Sequence, residues 1–500
     1  MKIFSAPQIK AADAYTISAT PVSSIDLMER ASAACTDWIL ANYGKETLFV
    51  ILCGPGNNGG DGLATARMLY REGYGVKAFL VQTGGELSVD CRVNLQRFQK
   101  MAPGHIEMLA TGNYITDIAE HIIIIDAIFG TGLNRVIEGW LGKFIHKINE
   151  LPNKVISIDI PSGLSADNPP AEGGPVIQAA HTLSFQFYKR STLHPEGGKF
   201  TGNVHILDIG LDKHFIDATA THYHIIDKAE VLKHYKPRQP FSHKGTYGTA
   251  FLVGGSYGMM GAVALATRAA SRAGAGKVRA LVPAAGYTIV QSLAPEAMCK
   301  DGGDKYIDDI QGWTEEDAIG IGCGMGTDPQ TAKALAAFIE EVKQPVVLDA
   351  DALNIIGKHS ELLTKIPAGS ILTPHPKEFE RMFGASGDSM QRVELARILA
   401  MRYNIHLVLK DRYTVIVTPD GDCWYNVSGN AGLATAGSGD VLAGIITGLL
   451  AQRYTPAAAA ILGVYLHGKA GEHASQKYSM EAMIASDIID QLGASFSNLK

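Results

Sequence analysis

The chain has 500 residues, of which 46% are hydrophobic, 19% are charged and 54 are glycine. That is apolar surface for two or three domain cores and too little charge for intrinsic disorder. Lys and Arg total 44 against 50 for Asp and Glu, a net charge of −6, which lacks the basic excess of a dedicated nucleic-acid binder.

The opening stretch, MKIFSAPQIKAADAYTI, has no apolar signal-peptide core, and the longest greasy runs, HIIIID and VLAGIITGLLA, stop far short of a membrane span. Over the first 210 or so residues, short apolar runs alternate with amphipathic stretches. TLFVILCGPG, GVKAFLVQTG, HIIIIDAIFG, KVISIDIPSG and HTLSFQF read as buried strands, with helices over Gly62–Gly73 and Val89–Met101 among them. The alternation predicts a parallel sheet covered on both faces, with ligands at the carboxyl ends of its strands.

CGPGNNGGDG (Cys53–Gly62) follows the first strand and opens a helix. Gly54, Gly56 and Gly59 satisfy GxGxxG, but the acidic residue that a dinucleotide fingerprint needs is missing, because the next strand ends Val81-Gln82-Thr83-Gly84. A tight turn explains the glycines. It does not explain Asn57, Asn58 and Asp61, which add donors and acceptors at a helix start suited to phosphate. Two further strand ends carry Asp126, and Asp159 with Ser162. A lone carboxylate there is often a helix cap, but three polar strand ends in one domain converge on one crevice. Asn58, Asp126 and Ser162 offer oxygen ligands for a hard cation, and an Asp at such a crevice can move protons.

Residues 213–240 are polar, His-bearing and rich in proline toward the end, and read as a connection with short structure of its own. His222, His224 and His234 have no third ligand at fitting spacing and read as solvated. From Phe241 onward TAFLVGGSYG, KVRALVP, DAIGIGCGMG, QPVVLDADA, GSILTPHPKEF, IHLVLKDRY and TVIVTPDG are strand candidates, with helices over Gly261–Gly274, Thr331–Glu341 and Ser438–Gln452. The halves share no repeat, so two different α/β domains are expected. Cys35, Cys53, Cys91, Cys299, Cys323 and Cys423 are scattered singly and predict buried free thiols in a reduced, cytoplasmic protein.

Gly437-Ser438-Gly439-Asp440 precedes the apolar helix VLAGIITGLLAQ. Such a turn aims N–H groups and the positive dipole end at one point, with Asp440 beside it to take a proton from a hydroxyl. The arrangement suits phosphoryl transfer to an alcohol. A plain capped helix would also accept Ser and Asp, but a gratuitous carboxylate in a buried turn is costly. Pro374 and Pro376 hold His375 between them, and Lys410-Asp411-Arg412-Tyr413-Thr414 ends a strand with cations useful for nucleotide phosphates.

GPGNNGGDG, DAIFGTGL and SIDIPSGLSAD resemble the NAD(P)H-hydrate epimerase domain, over residues 1–212. The resemblance implies a Rossmann-like three-layer sandwich. It implies contacts to the hydrated nucleotide from Asn57, Asn58, Gly59, Gly60 and Asp61, and from Gly130, Thr131, Gly132, Leu133, Asn134, Arg135 and Val136. Asp159 would bind substrate and transfer protons, and Asn58, Asp126 and Ser162 would hold a potassium ion.

HKGTYG, GMMGA, GCGMGTD, TPHPKE and AGSGDVLAG, in that order over residues 228–500, resemble the ADP- or ATP-dependent NAD(P)H-hydrate dehydratases of the ribokinase-like superfamily. Ala262, Gly326, His375 and Asp440 would then line the hydrate pocket, with Asp440 as catalytic base. Lys410, Asp411, Arg412, Tyr413, Thr414 and Gly439 would bind ADP or ATP with magnesium. One departure is visible: Lys410-Asp411 stands where the family usually has Lys-Gly, placing an extra carboxylate near phosphates.

Together the resemblances imply epimerisation of R and S hydrates and nucleotide-driven dehydration of the S form to NADH or NADPH. The rival is a ribokinase-like kinase of a small alcohol, of the hydroxymethylpyrimidine type, fused to a nucleotide-binding module. The expected partners are small-molecule nucleotides and further copies of the chain in a homo-oligomer, with no nucleic acid and no membrane.

Overall fold

The computed structural model describes residues 1–115, 118–133 and 135–499, which form two compact units. One holds residues 2–221 with 388–390; the other holds residue 1, residues 222–387 and the chain from 391 onward.

The first unit is built on seven strands: β1 (Leu48–Cys53), β2 (Gly75–Val81), β3 (Ile106–Leu109), β4 (Ile123–Ala127), β5 (Val155–Ile158), β6 (His181–Phe185) and β7 (Asn203–Leu207). Their order is β3-β2-β1-β4-β5-β6-β7, and every neighbouring pair is parallel. The central β1 and β4 are buried nearly end to end, as expected of strands covered on both faces. Cys35, Ile39, Leu63, Leu69 and Phe98 cover one face, and Phe144, Ile145 and Ile148 the other, giving three layers. The edge strands β3 and β7 are half exposed and carry no apolar run, so periodicity misses both. The helix expected from Gly62 begins at Asn57, and Asn57–Asp61 form its first turns.

The second unit has ten strands: β8 (Tyr223–Ile226), β9 (Thr249–Val253), β10 (Lys277–Val282), β11 (Met298–Asp301), β12 (Asp317–Ile321), β13 (Val346–Leu348), β14 (Ile371–Leu372), β15 (His406–Leu409), β16 (Thr414–Val417) and β17 (Cys423–Asn426). The order is β11-β10-β9-β12-β13-β14-β15-β16-β17-β8. Among the described residues, only β16 runs antiparallel to its neighbours. The helix Ser438–Ala451 is apolar all round because it lies inside the unit. Its glycines admit the helix Met260–Arg272 very closely: a Cβ on Gly444 would stand 2.2 Å from the Ala266 carbonyl oxygen.

Part of the segment read as a connection belongs to this second unit. Strand β8 pairs in parallel with β17, and the helix Lys228–His234 buries Val231 in the core. The histidines there have partners. His222 lies 2.9 Å from Asp422, His224 stacks on Trp424 at 4.3 Å, and His234 is 3.3 Å from Glu230.

Both sheets reverse their strand order beside the first central strand. β1 has β2 on one side and β4 on the other; β9 has β10 and β12. A crevice opens at the carboxyl ends of such a pair. Five of the six cysteines are buried and all are free; Cys299 is half-buried. Among the described residues, no helix is long and apolar enough to cross a membrane.

Candidate active sites at the two switch points

At the first switch point the loops after β1 and β4 touch. The Gly54 N–H donates to the Ala127 carbonyl at 3.0 Å. A Cβ on Gly54 would stand 2.0 Å from the Ile128 oxygen, and one on Gly59 would stand 1.7 Å from the Gly54 oxygen. Those two glycines serve backbone contact, and Gly60 packs on Met28, whereas Gly56 faces open space. Neither Gly59 nor Gly60 lines the cleft.

The cleft has a volume of about 1200 Å³, room for a dinucleotide. Asn57, Asn58, Asp61, Asp159 and the loop residues Gly130, Thr131, Gly132, Leu133, Arg135 and Val136 line it. Asn134 lies outside the described residues.

Asp126 and Ser162 are completely buried and lie outside the cleft wall. Asp126 Oδ1 accepts from Ser162 Oγ at 2.6 Å and from the Ile128 N–H at 3.3 Å; Oδ2 accepts from Ser157 Oγ and the Ser162 N–H, both at 2.8 Å. Burial raises the Asp126 carboxyl above its usual range despite these bonds, and no cationic side chain is among the groups that offset it. The terminal Nδ2 of Asn58 is buried without a partner, and an amide's N and O ends are interchangeable in assignment. A buried carboxylate without a countercharge and an orphaned amide fit a hard monovalent cation. Both Asp126 oxygens are already engaged, so Asp126 would supply charge and orientation, leaving ligation to Ser162, Asn58 and carbonyl oxygens.

Five carboxyl residues line the cleft, Asp13, Asp61, Glu86, Asp159 and Asp167, and three of them, Asp13, Asp61 and Asp159, act on one another electrostatically. Burial, then Asp159 and Asp13, push Asp61 well above the usual range. Burial, then Asp159, lift Asp13 to about 6, with Lys189 opposing. Asp159 follows β5 in the left-handed region, φ 67°, which is rare for a residue with a side chain. The fully buried Lys189 donates to Asp159 Oδ1, to Ser184 Oγ at 2.9 Å and to the Phe185 carbonyl at 3.1 Å. The sequence reading missed Lys189 and Asp13. Lys189 lies four residues beyond β6, a strand end that could have been followed as the others were; Asp13 sits on the helix Ala6–Ala19, with no strand end to mark it.

At the second switch point a Cβ on Gly254 would stand 2.4 Å from the Cys323 oxygen, and the Gly255 N–H donates to that oxygen at 2.9 Å. Beyond it Gly324 packs on Ala262, and Gly326 sits beside Ser256 with its N–H on Asp351 Oδ2 at 2.9 Å. His375 is the N-cap of the helix Pro376–Phe383: its Nδ1 accepts from the N–H groups of Lys377 and Glu378 at 3.1 and 3.3 Å. Burial, then Lys410, lower its pKa, so the ring is neutral and its orientation fixed.

Gly437 takes a left-handed φ of 88° and starts the helix Ser438–Ala451. A Cβ on Gly439 would meet Lys410 Nζ at 3.5 Å and Asp349 Oδ2 at 3.9 Å. Lys410 donates to Asp349 Oδ1 at 2.7 Å and lies 3.9 Å from Glu378. Burial alone would lower the Lys410 ammonium, but Asp349 and Glu378 outweigh it and leave it above the usual value. Burial, then Asp349, raise Asp440 to about 6. Under the turn, His467 contacts Ser438 Oγ at 3.2 Å, and burial lowers its pKa to about 4.

Asp349, Glu378 and His467 are further residues of this site that sequence reasoning missed. Asp349 directly follows β13, inside VLDADA, and precedes Ala350 at φ 48°. Cys323 Sγ and carboxylate oxygens of Asp349 and Asp440 lie within 4.8 Å of one another. Burial keeps the Cys323 thiol protonated, so this cluster offers magnesium its two carboxylates rather than its sulfur. A nucleotide-borne magnesium, which takes one or two carboxylates besides phosphates, fits that set.

Asp411 does not stand as a free carboxylate. Its Oδ1 accepts the Arg412 N–H at 2.7 Å and its Oδ2 lies 3.8 Å from Arg392. Arg412 donates to the Gly429 carbonyl at 3.2 Å and lies over the Tyr413 ring; Thr414 opens β16.

Two family models match the chain: "YjeF-related protein N-terminus" over residues 24–191 and "NAD(P)H-hydrate dehydratase" over residues 250–493. The bifunctional NAD(P)H-hydrate repair enzyme Nnr of Moorella thermoacetica is 36% identical to it, covering 100% of this chain and 97% of that protein. The chain belongs to the bifunctional NAD(P)H-hydrate repair enzyme family. A second member of this repair enzyme family, from Escherichia coli K12, is 32% identical over 93% of this chain and 88% of its own length. The crystal structure of the ADP/ATP-dependent NAD(P)H-hydrate dehydratase from Bacillus subtilis, co-crystallized with ATP and Mg2+, matches with a TM-score of 0.50 at 33% identity. It covers 56% of this chain and 100% of that one, and the second unit has this ribokinase-like fold.

Proposed function

We propose that this chain repairs hydrated nicotinamide cofactors, exchanging R and S epimers in an epimerase unit over residues 1–212 and dehydrating the S form in a dehydratase unit over residues 228–500. The observation that carries the reading is the cluster of Asp440, Asp349 and Lys410 against the Gly437–Asp440 turn, in a chain that aligns end to end with repair enzymes.

In the dehydratase unit, Asp440 takes the proton of the hydroxyl on C6 as its oxygen attacks the terminal phosphorus of the nucleotide, breaking the bond to the bridging oxygen and releasing AMP from ADP or ADP from ATP. The N–H groups of the turn and Lys410 stabilise the charge on the transferring phosphoryl group. Magnesium, held toward Asp349 and Asp440, supplies charge neutralisation at the phosphates. The C6–O bond then breaks with phosphate leaving, pushed by the ring nitrogen lone pair, and loss of a proton from C5 restores the dihydronicotinamide. Ala262, Gly326 and the fixed ring of His375 shape the hydrate pocket. Lys410–Thr414 and Gly439 hold the nucleotide.

In the epimerase unit, Asp159 moves the proton that accompanies inversion at C6. Asn57, Asn58 and Asp61, with Gly130, Thr131, Gly132, Leu133, Arg135 and Val136 of the facing loop, bind the nucleotide. Asn58, Ser162 and carbonyl oxygens would hold a potassium ion, with Asp126 behind them supplying charge and orientation, and the ion would tie together the loops after β1, β4 and β5. Free, mostly buried thiols suit a reducing compartment and support a cytoplasmic location.

The test is a mixture of R and S NADHX with magnesium, potassium and either ADP or ATP, followed by the return of reduced-nicotinamide absorbance. Recovery of both epimers is expected, and the effective nucleotide is identified in the same assay. Replacing potassium by an organic cation lowers the rate at which the R form is consumed. A stable phosphorylated product without absorbance would overturn the reading in favour of a small-alcohol kinase.

A further inference from the structure

We infer that Lys189 is a positioning residue of the epimerase site, holding Asp159 as an oriented carboxylate; this rests on the epimerase reading above. A lysine that no water reaches needs a reason to be there, since an unpaired buried ammonium is strongly unfavourable. Lys189 is 0% exposed, and the three acceptors that its ammonium can serve are all present: Asp159 Oδ1, Ser184 Oγ and the Phe185 carbonyl. The Phe185 N–H adds a bond to the same Asp159 oxygen at 3.3 Å. One carboxylate oxygen is therefore fixed from behind by β6, which leaves Oδ2 for the cleft that Asp159 lines.

The surroundings explain why the pairing matters. Asp13 on the helix Ala6–Ala19 and Asp61 on the helix Asn57–Arg71 face Asp159 in the same cleft, and the buried Cys35 thiol also feels its charge. Lys10, Glu86, Arg135 and Asp167 are the other charged residues that line the cleft. Three carboxyl groups with no countercharge cannot all ionise. Lys189 places its ammonium against Asp159, while Asp13 and Asp61 are pushed upward by burial and by Asp159. The left-handed backbone at Asp159 turns its side chain toward this ammonium and is held there by the bond.

The experiment uses the full chain and follows R-to-S exchange by chromatography, corrected for spontaneous epimerisation, over about pH 5.5 to 8.5. In Lys189→Met the carboxyl at 159 loses its countercharge and binds a proton at higher pH, so the acid limb of kcat/KM moves upward by about one unit. The rate then falls about tenfold near pH 6 and far less near pH 8. Lys189→Arg restores the wild-type limb. Ser184→Ala, which removes one acceptor without touching Asp159, moves the limb in the same direction by a smaller step, and it decides the matter if Lys189→Met does not fold.

A uniform loss at every pH, or an unmoved limb in both Lys189→Met and Ser184→Ala, overturns the inference. Wild-type protein that exchanges no epimers would instead overturn the epimerase reading, and dehydration of the S form by every variant shows that the chain is intact.

Discussion

Asp440 is half-buried beside Asp349, and desolvation followed by the Asp349 charge raises its pKa from the usual 3.8 to about 6. The folded value lies above the unfolded one, so the group favours folding fully below about pH 4, and that contribution is lost as pH rises through about 6. At neutral pH the ionised carboxylate is thus a burden on the fold that the proposed base role explains. Asp440→Asn should abolish nucleotide-driven dehydration and yet stabilise the unit at pH 8 by about 1 to 3 kcal/mol, with the gain shrinking toward pH 5. Thermal denaturation at both pH values checks this; a variant no more stable than wild type at pH 8 would contradict it. Asp411, by contrast, has its charge met by Arg392 and by the Arg412 N–H. Replacing it with the glycine usual at that position should change nucleotide affinity by no more than about fivefold, the scale of an exposed ion pair. Calorimetric titration with ATP would detect anything larger.

At the scale of elements, both sites depend on two loops meeting at an order reversal, and the glycines there divide by role. A Cβ on Gly59 would overlap the Gly54 oxygen at 1.7 Å, whereas one on Gly56 meets nothing within 4 Å. Gly59→Ala should therefore cost about 2 to 4 kcal/mol of stability, and Gly56→Ala less than about 1 kcal/mol, in denaturant unfolding of the first unit. The GxGxxG spacing alone does not separate the two, because backbone contact and ligand contact select the same residue. What was legible were the buried central strands, whose unbroken apolar runs end in polar groups at the crevice, as at Asp126, Asp159 and Asp440. What was not legible came from elements without a period: β3, β7, β8, β11 and β17 are short edge or near-edge strands, and the first turns of the helix Asn57–Arg71 are hidden by two asparagines and three glycines, residues of low helix propensity. Lys189 and Asp349 escaped for another reason. Each acts through a partner distant in sequence, Asp159 and Lys410 respectively, and only the sheet brings the partners together.

At the scale of the whole molecule, the chain carries two crevices on two separate sheets, each with a buried carboxylate paired to a lysine: Asp159 with Lys189, and Asp349 with Lys410 beside Asp440. No group of one set belongs to the other unit, so single substitutions should separate the activities cleanly. With excess ATP and a mixture of R and S NADHX, Asp159→Asn should restore absorbance only to the S fraction and then creep at the spontaneous rate. Asp440→Asn should restore none, while chromatography still shows R and S exchanging at the wild-type rate. Mixing the two variants in one tube should return full recovery, since the S form made by one is free to reach the intact dehydratase of the other. If hydrate passed between the sites without release, the mixture would recover the R fraction no faster than Asp159→Asn alone. The time course of that mixture therefore reads two things at once: whether each carboxylate serves its own unit, and whether the fused sites share substrate through solution.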